Sequence, residues 1–239
     1  MIKQNIKFII LLTFATIFCG AQESLNQFDA NGKRHGKWQK NFDGTNVLRY
    51  TGQFDHGKEV GTFTFYQKVG KVSKIAATRE FNSEDDIAKV TFYALNGKIV
   101  SEGMMDGKTY IGKWKYYHKN SDKLMTVEHY SNDGELQGKR LVFYENGQVA
   151  EELNYEAGQI DGISKYYSEE GTMVKKYTYR NGELHGETKH YENNGAISIE
   201  GQYQNGHKHG VWKYYRNGKL YDQKDFTRYS KNPKKQKKN

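Results

Sequence analysis

From Phe28 to Tyr229 apolar and polar residues alternate in short runs, and aromatics fill the apolar positions more often than leucine or isoleucine. In "GVWKYYRNGKL" (Gly210–Leu220) Trp212 and Tyr214 stand two residues apart, and Tyr215 follows directly. In an extended strand, residues i and i+2 share a face and i+1 points to the other. Trp212 and Tyr214 therefore belong to one face and Tyr215 to the opposite one. The arrangement recurs in Phe63, Phe65 and Tyr66, in Trp114, Tyr116 and Tyr117, and in Tyr166-Tyr167. Most runs close on a turn such as Asn96-Gly97, Asn146-Gly147 or Asn217-Gly218, a strong short-range hairpin signal. A second strand follows, often with an aromatic near its end: Phe54, Tyr155, Tyr179 or Tyr203. Proline is absent from the whole stretch, as a continuous ladder requires.

The hairpins repeat. Taking one glycine per unit as an anchor gives Gly36, Gly61, Gly112, Gly138, Gly162, Gly186 and Gly210, the last four spaced by 24 residues. Ala88 fills the long gap between Gly61 and Gly112, which makes eight units. Every glycine after residue 21 falls in one of four columns relative to these anchors, and Gly52, Gly103 and Gly201 form the sparsest column. Scattered flexible loops do not produce such order. The columns mark turns that need φ > 0 or places where neighbouring groups approach closely. A single hairpin is marginal alone and must stack on copies of itself. The expected fold is therefore all-β, an elongated single-layer antiparallel sheet of about eight tandem β-hairpin repeats of about 24 residues each. Two units depart from the pattern. The third, "NSEDDIAKV" (Asn82–Val90), lacks both glycines, and the fourth has "NSDK" (Asn120–Lys123) at its turn, so a bulge or twist in the ladder is expected there.

Composition changes the picture mainly at the two ends. Lys3 and Lys7 precede an apolar run, Phe8–Phe18, followed by Cys19-Gly20-Ala21. The run is shorter than the ~20 residues a bilayer span needs. It reads as a signal peptide over residues 1–21, with the mature chain starting near Gln22. The alternative is a lipoprotein anchored at Cys19, which bulky Phe18 disfavours. Cys19 is the only cysteine, so the mature chain would hold no disulfide, cysteine–metal site or thiol nucleophile. The formal net charge is +9. Removing Lys3 and Lys7 leaves +7, and the five lysines of the tail at 230–239 leave the body of residues 22–229 near +2. That tail has a disordered composition, and Lys234, Lys235, Lys237 and Lys238 are candidates for contact with an anionic surface.

Motifs such as "YRNGELHG" (Tyr179–Gly186) and "YQNGHKHGVWKYYRNGK" (Tyr203–Lys219) resemble the MORN repeat in its bacterial variant, which reads G-x-x-x-G-x-W-x-x-Y-x-x-N-G. The resemblance covers nearly all of residues 22–229 and implies an elongated, curled, single-layer sheet. It further implies a link to membrane-associated protein assembly, or to the YwqK-like group of antitoxins from toxin–antitoxin systems.

Candidate chemistry is sparse. His35, His185 and His209 each precede an anchor glycine and form one structural column. His207 and His209 share a strand face, but no third ligand has a reason to converge on them. Glu84, Asp85 and Asp86 read as a solvated turn, because a calcium loop needs alternating oxygen ligands and a turn glycine. Phosphate loops, nucleophile elbows and H-E-x-x-H are absent. No catalytic residue, metal ligand or cofactor is assigned, and an enzyme is not expected. Nucleic-acid binding is disfavoured because the body is nearly neutral. The expected function is that of a secreted or periplasmic scaffold binding a protein partner through an aromatic-rich face. Trp114, Tyr116, Tyr166, Trp212 and Tyr214 are the candidate face residues. The alternatives are an antitoxin-like neutraliser of a toxin or effector, and a module for cell-surface glycan or anionic lipid.

Overall fold

A computed structural model describes residues 24–82 and 85–227. The signal peptide at 1–21, with Cys19, and the lysines at 234–238 lie outside the described residues. All the named elements are strands. A short β1 (Gln27–Phe28) lies against the start of β2. Eight hairpins follow, four before and four after the middle of the chain. The first four are β2 (Arg34–Asn41) with β3 (Leu48–Asp55), β4 (Lys58–Val69) with β5 (Val72–Phe81), β6 (Ile87–Tyr93) with β7 (Ile99–Asp106), and β8 (Thr109–Tyr117) with β9 (Leu124–Tyr130). The fifth is β10 (Gly138–Phe143) with β11 (Val149–Glu156). In the next two hairpins the first strand is interrupted just before the anchor glycine. They are β12 (Gln159–Ile160) and β13 (Gly162–Tyr167) with β14 (Met173–Arg180), then β15 (Glu183–Leu184) and β16 (Gly186–Tyr191) with β17 (Ile197–Gln204). The last is β18 (His207–Arg216) with β19 (Lys219–Asp225).

Each hairpin pairs antiparallel with the next, giving one open sheet. The expected fold class is what the structure holds. Two irregularities recur along it. In every hairpin one extra residue sits in the returning strand opposite the step between the fourth and fifth residues after the anchor, as at Tyr116/Tyr117 and Tyr214/Tyr215. Between hairpins the register shifts again at the anchor glycine, as between Thr51 and Gln53 opposite Gly61. Gly61 has φ 64°, a conformation that costs a side-chain-bearing residue strain. Bulges of this kind bend a strand and increase its twist.

The third unit behaves differently. The junction of β5 with β6 runs in unbroken register from Ala77↔Phe92 to Phe81↔Ala88. The anchor glycine is what hosts the between-hairpin bulge, so the unit that lost the glycine lost the bulge as well. The expected extra distortion there is not found. The fourth unit's turn also closes cleanly, with the His118 N–H donating to the Lys123 carbonyl at 3.0 Å and Asn120 at φ 59°.

A single layer has no second sheet to bury its side chains, yet this one has a core. It lies in the column two residues after each anchor. Phe63, Val90, Trp114, Ser164, Thr188 and Trp212 are all fully buried there. The cause is the row of neighbours across the sheet. A Cβ on Gly52, Gly103 or Gly201 would clash with the ring of Phe63, Trp114 or Trp212 respectively. The glycine of one hairpin thus leaves the hollow that the next hairpin's aromatic occupies. Where the later residue is small, the earlier one is large: buried Leu153 stands 11 residues before Ser164, and Tyr177 stands 11 before Thr188. The fifth unit has Arg140 in the column, and its Nε pairs with Glu128 at 2.9 Å. Both Trp114 and Trp212 donate their indole N–H to the carbonyl just after the paired glycine, Met104 at 3.0 Å and Gln202 at 3.1 Å. A buried ring with its polar atom satisfied is a stable core element.

Candidate interaction surface

The face that carries this core also carries a second row, four residues after each anchor. Cross-strand register runs it unbroken through Tyr50, Phe65, Ala77, Phe92, Ser101, Tyr116 and Thr126. Beyond the middle it continues through Val142, Glu151, Tyr166, Lys175, His190, Ile199 and Tyr214. Large rings on outgoing strands alternate with small residues on several returning strands, so each ring lies partly over its neighbour. Tyr110 stacks on Trp114 with ring centroids 3.9 Å apart, and Tyr116 packs 6.2 Å from the same indole. The hydroxyls of Tyr116 and Tyr130 meet at 3.3 Å, and Tyr130 donates to Glu128 at 2.7 Å. Burial, with Glu128 beside it, pushes the Tyr130 phenol up to about 12. Tyr116 and Tyr130 are half-buried and protonated at neutral pH. They are hydrogen-bonding aromatics and carry no charge.

The opposite face is built from other columns. Its central row reads Gln39, Thr51, Thr64, Thr78 and Thr91 in the first half, then Glu102 and Lys115. It passes through Val127 and Leu141 at the middle and then reads Glu152, Lys165, Lys176, Lys189, Glu200 and Lys213. A tyrosine flanks many of its lysines. Tyr117 donates to Glu102 at 2.7 Å, with Lys115 3.3 Å from the same oxygen. Tyr215 donates to Glu200 at 2.7 Å, with Lys213 at 3.1 Å. The tyrosine hydrogen bond, then the lysine, holds both carboxyls below the usual range. Lys139 does the same for Glu152, and Lys189 for Glu187. From Glu102 onward this face is a run of paired charges, and before it the row is threonine and glutamine. The lysine and tyrosine of each Glu–Lys–Tyr grouping stand two residues apart on one strand, but the glutamate comes from the preceding hairpin, so residue spacing alone does not reveal the grouping.

All five residues singled out from the sequence lie on the aromatic face, but they are not equivalent there. Trp114 and Trp212 are enclosed, the latter also covered by Lys208, whose Nζ sits 4.0 Å from the ring centroid. They shape the surface from beneath and offer no ring to a ligand. Tyr116, Tyr166 and Tyr214 are half-buried and form the accessible part. His185 sits at the strand interruption, where its N–H donates to Thr178. Of the acidic run, Asp85 closes the turn by accepting from Asn82 Nδ2 at 2.8 Å and from Ile87 N at 2.9 Å. Asp86 pairs with Lys58 at 3.4 Å.

A one-layer sheet of tandem hairpins, with a self-satisfied charged face and an aromatic one, defines a repeat scaffold. Residues 136–157, 160–181 and 184–205 match the family described as "MORN repeat variant", in three consecutive copies. The chain carries MORN repeats, matched over residues 136–205. No curated protein matched it. Among solved structures, local likeness is found to a crystal structure of the GtfA/B complex, at 21% identity, over 42% of this chain and 19% of that one, with a TM-score of 0.28. A second is S. aureus TarM, a mutant in complex with fondaparinux, alpha-GlcNAc-glycerol and UDP, at 13% identity, over 52% and 19%, with a TM-score of 0.22. The chain thus spans about a fifth of each of these proteins. Likeness at these TM-scores carries no argument about activity.

Proposed function

We propose that this protein is an exported, non-catalytic scaffold that binds a protein partner through its aromatic face. The observation that carries the reading is the contrast between the two faces. Protein interfaces are enriched in tyrosine and other aromatics at their centre and depleted in lysine and glutamate. The row through Phe92, Tyr116, Tyr166 and Tyr214 has that composition, and the row through Glu152, Lys165 and Lys189 has the reverse. Repetition extends the surface across all eight hairpins, and such extended surfaces are how repeat proteins bind. The apolar segment at residues 8–18 supports export. Burial of Trp114 and Trp212 speaks against stacking of sugars on those two rings.

Replacing Tyr116, Tyr166 and Tyr214 together by serine tests the reading. Partner capture from the envelope fraction is expected to fall at least tenfold, whereas the matching change of Tyr117, Tyr167 and Tyr215 leaves it within about twofold. Circular dichroism checks that both variants are folded. Equal loss from both triple variants, with folding intact, would sink the face assignment.

A further inference from the structure

The N-terminal end of the sheet gathers side chains that neither face uses. His35 lies near the start of β2, the first strand of the first hairpin, Asp55 ends β3, and His56 stands in the turn between β3 and β4. Across that corner the two imidazoles lie 4.7 Å apart, centroid to centroid. Asp55 Oδ1 stands 3.4 Å from His35 Nδ1 and 3.8 Å from His56 Nε2. One donor atom from each of the three residues falls within a sphere in which no two are more than 4.8 Å apart.

A second, independent feature points the same way. Asp29, from the loop after β1, has its side chain almost wholly buried, and its Oδ2 accepts from His56 Nδ1 at 2.6 Å. Its other oxygen accepts the backbone N–H groups of Asn31 and Lys33 at 2.8 and 2.9 Å, so its position is fixed. A carboxylate that holds one imidazole nitrogen fixes the tautomer and turns the other nitrogen outward as a ligand, which is how metal-binding histidines are commonly oriented. Here the outward atom is Nε2, on the Asp55 side. His56 also occupies a strained backbone position, φ 46°. The corresponding turns carry asparagine, Asn181 and Asn205, at φ 50°. Asparagine tolerates the left-handed region better than histidine does, so the turn itself gives no reason for an imidazole.

We propose that His35, His56 and Asp55 form a surface site for a divalent transition metal of the zinc type, with Asp29 as the group that orients His56. Two imidazoles and one carboxylate are a borderline donor set suited to Zn²⁺. Tetrahedral bonds of about 2.0–2.1 Å place ligand atoms about 3.3–3.4 Å apart. The two distances to Asp55, 3.4 and 3.8 Å, approach this, the whole set lies within 4.8 Å, and water completes the fourth position. Small rotations of two exposed rings bring the atoms together. The bound ion would clip the start of β2 to the β3–β4 turn and so cap the N-terminal end of the array, where a terminal repeat has a neighbour on one side only.

The test is calorimetric titration of the metal-stripped full chain with zinc chloride, alongside its H56N, D55N and D29N variants. The wild type binds zinc at this site and its melting temperature rises with the metal. H56N keeps the turn, because asparagine stands at the same φ in the sister turns, and loses at least tenfold in affinity together with the thermal shift. D55N behaves likewise, and D29N weakens binding about 10–100-fold. Proton–nitrogen spectra of the imidazoles report His35 and His56 moving on titration. No saturable binding by the wild type overturns the proposal. So does binding that H56N and D55N leave undiminished, with His207 and His209 shifting instead.

Discussion

At the scale of single residues, the central device is the exchange of volume between one hairpin and the next. Gly201 makes room for Trp212, whereas the same column holds Leu153 over Ser164. Gly201→Leu alone drives a side chain into the indole, and Trp212→Ser alone leaves an empty hollow. Each is expected to cost several kcal/mol, as overpacking and large-to-small core changes do. The double variant copies the Leu153–Ser164 solution, so it is expected to be more stable than the sum of the single losses by at least about 1 kcal/mol. Urea denaturation of the four proteins measures this, and strict additivity would refute the exchange. A second residue-level strain sits at Ala157, which has φ 47° where related turns have asparagine. Ala157→Asn is expected to gain about 0.5–1 kcal/mol, a rise of roughly 1–4 °C in melting temperature. The sparse glycine column at 52, 103 and 201 was visible in the sequence as a pattern. Its cause was not, because the ring each glycine admits belongs to a strand 11 residues on.

At the scale of elements, the hairpins were legible from alternation and Asn-Gly turns because both are local properties of a strand and its turn. The third unit shows the limit of that reading. Its missing glycines suggested a distorted ladder, and the structure shows the most regular junction, since the glycine itself carries the bulge. The charged face was less legible, because its partners come from different hairpins. It makes a prediction of its own. Glu102, Glu152, Glu187 and Glu200 all have folded-state values below the reference 4.5. A depressed carboxyl contributes stability that is complete above its unfolded value and is lost as pH falls through the folded one. Melting temperature is therefore expected to decline below pH 4.5, and Glu102→Gln with Glu200→Gln is expected to flatten the decline. An unchanged slope in that double variant would show that these pairs do not set the acid response.

At the scale of the whole molecule, the sheet has two unlike sides, one uniting buried rings and half-exposed tyrosines, the other cancelling its own charges. The membership of Trp114, Tyr116, Tyr166, Trp212 and Tyr214 in one face was readable from period-two spacing. Their division into enclosed tryptophans and accessible tyrosines was not, because burial depends on Gly103, Gly201 and the rings of neighbouring hairpins. The histidine–aspartate cluster at residues 29–56 escaped the sequence because His35 comes beside Asp55 and His56 only when β2 pairs with β3, and Asp29 reaches them from the loop after β1. The most direct measurement is site-specific photo-crosslinking in the native host, with a photoreactive amino acid at Tyr116, Tyr166 or Tyr214 on one face and at Tyr117, Tyr167 or Tyr215 on the other. The account predicts one discrete protein adduct from the first set and none from the second. An adduct confined to the second set, or the same adduct from both, would contradict it.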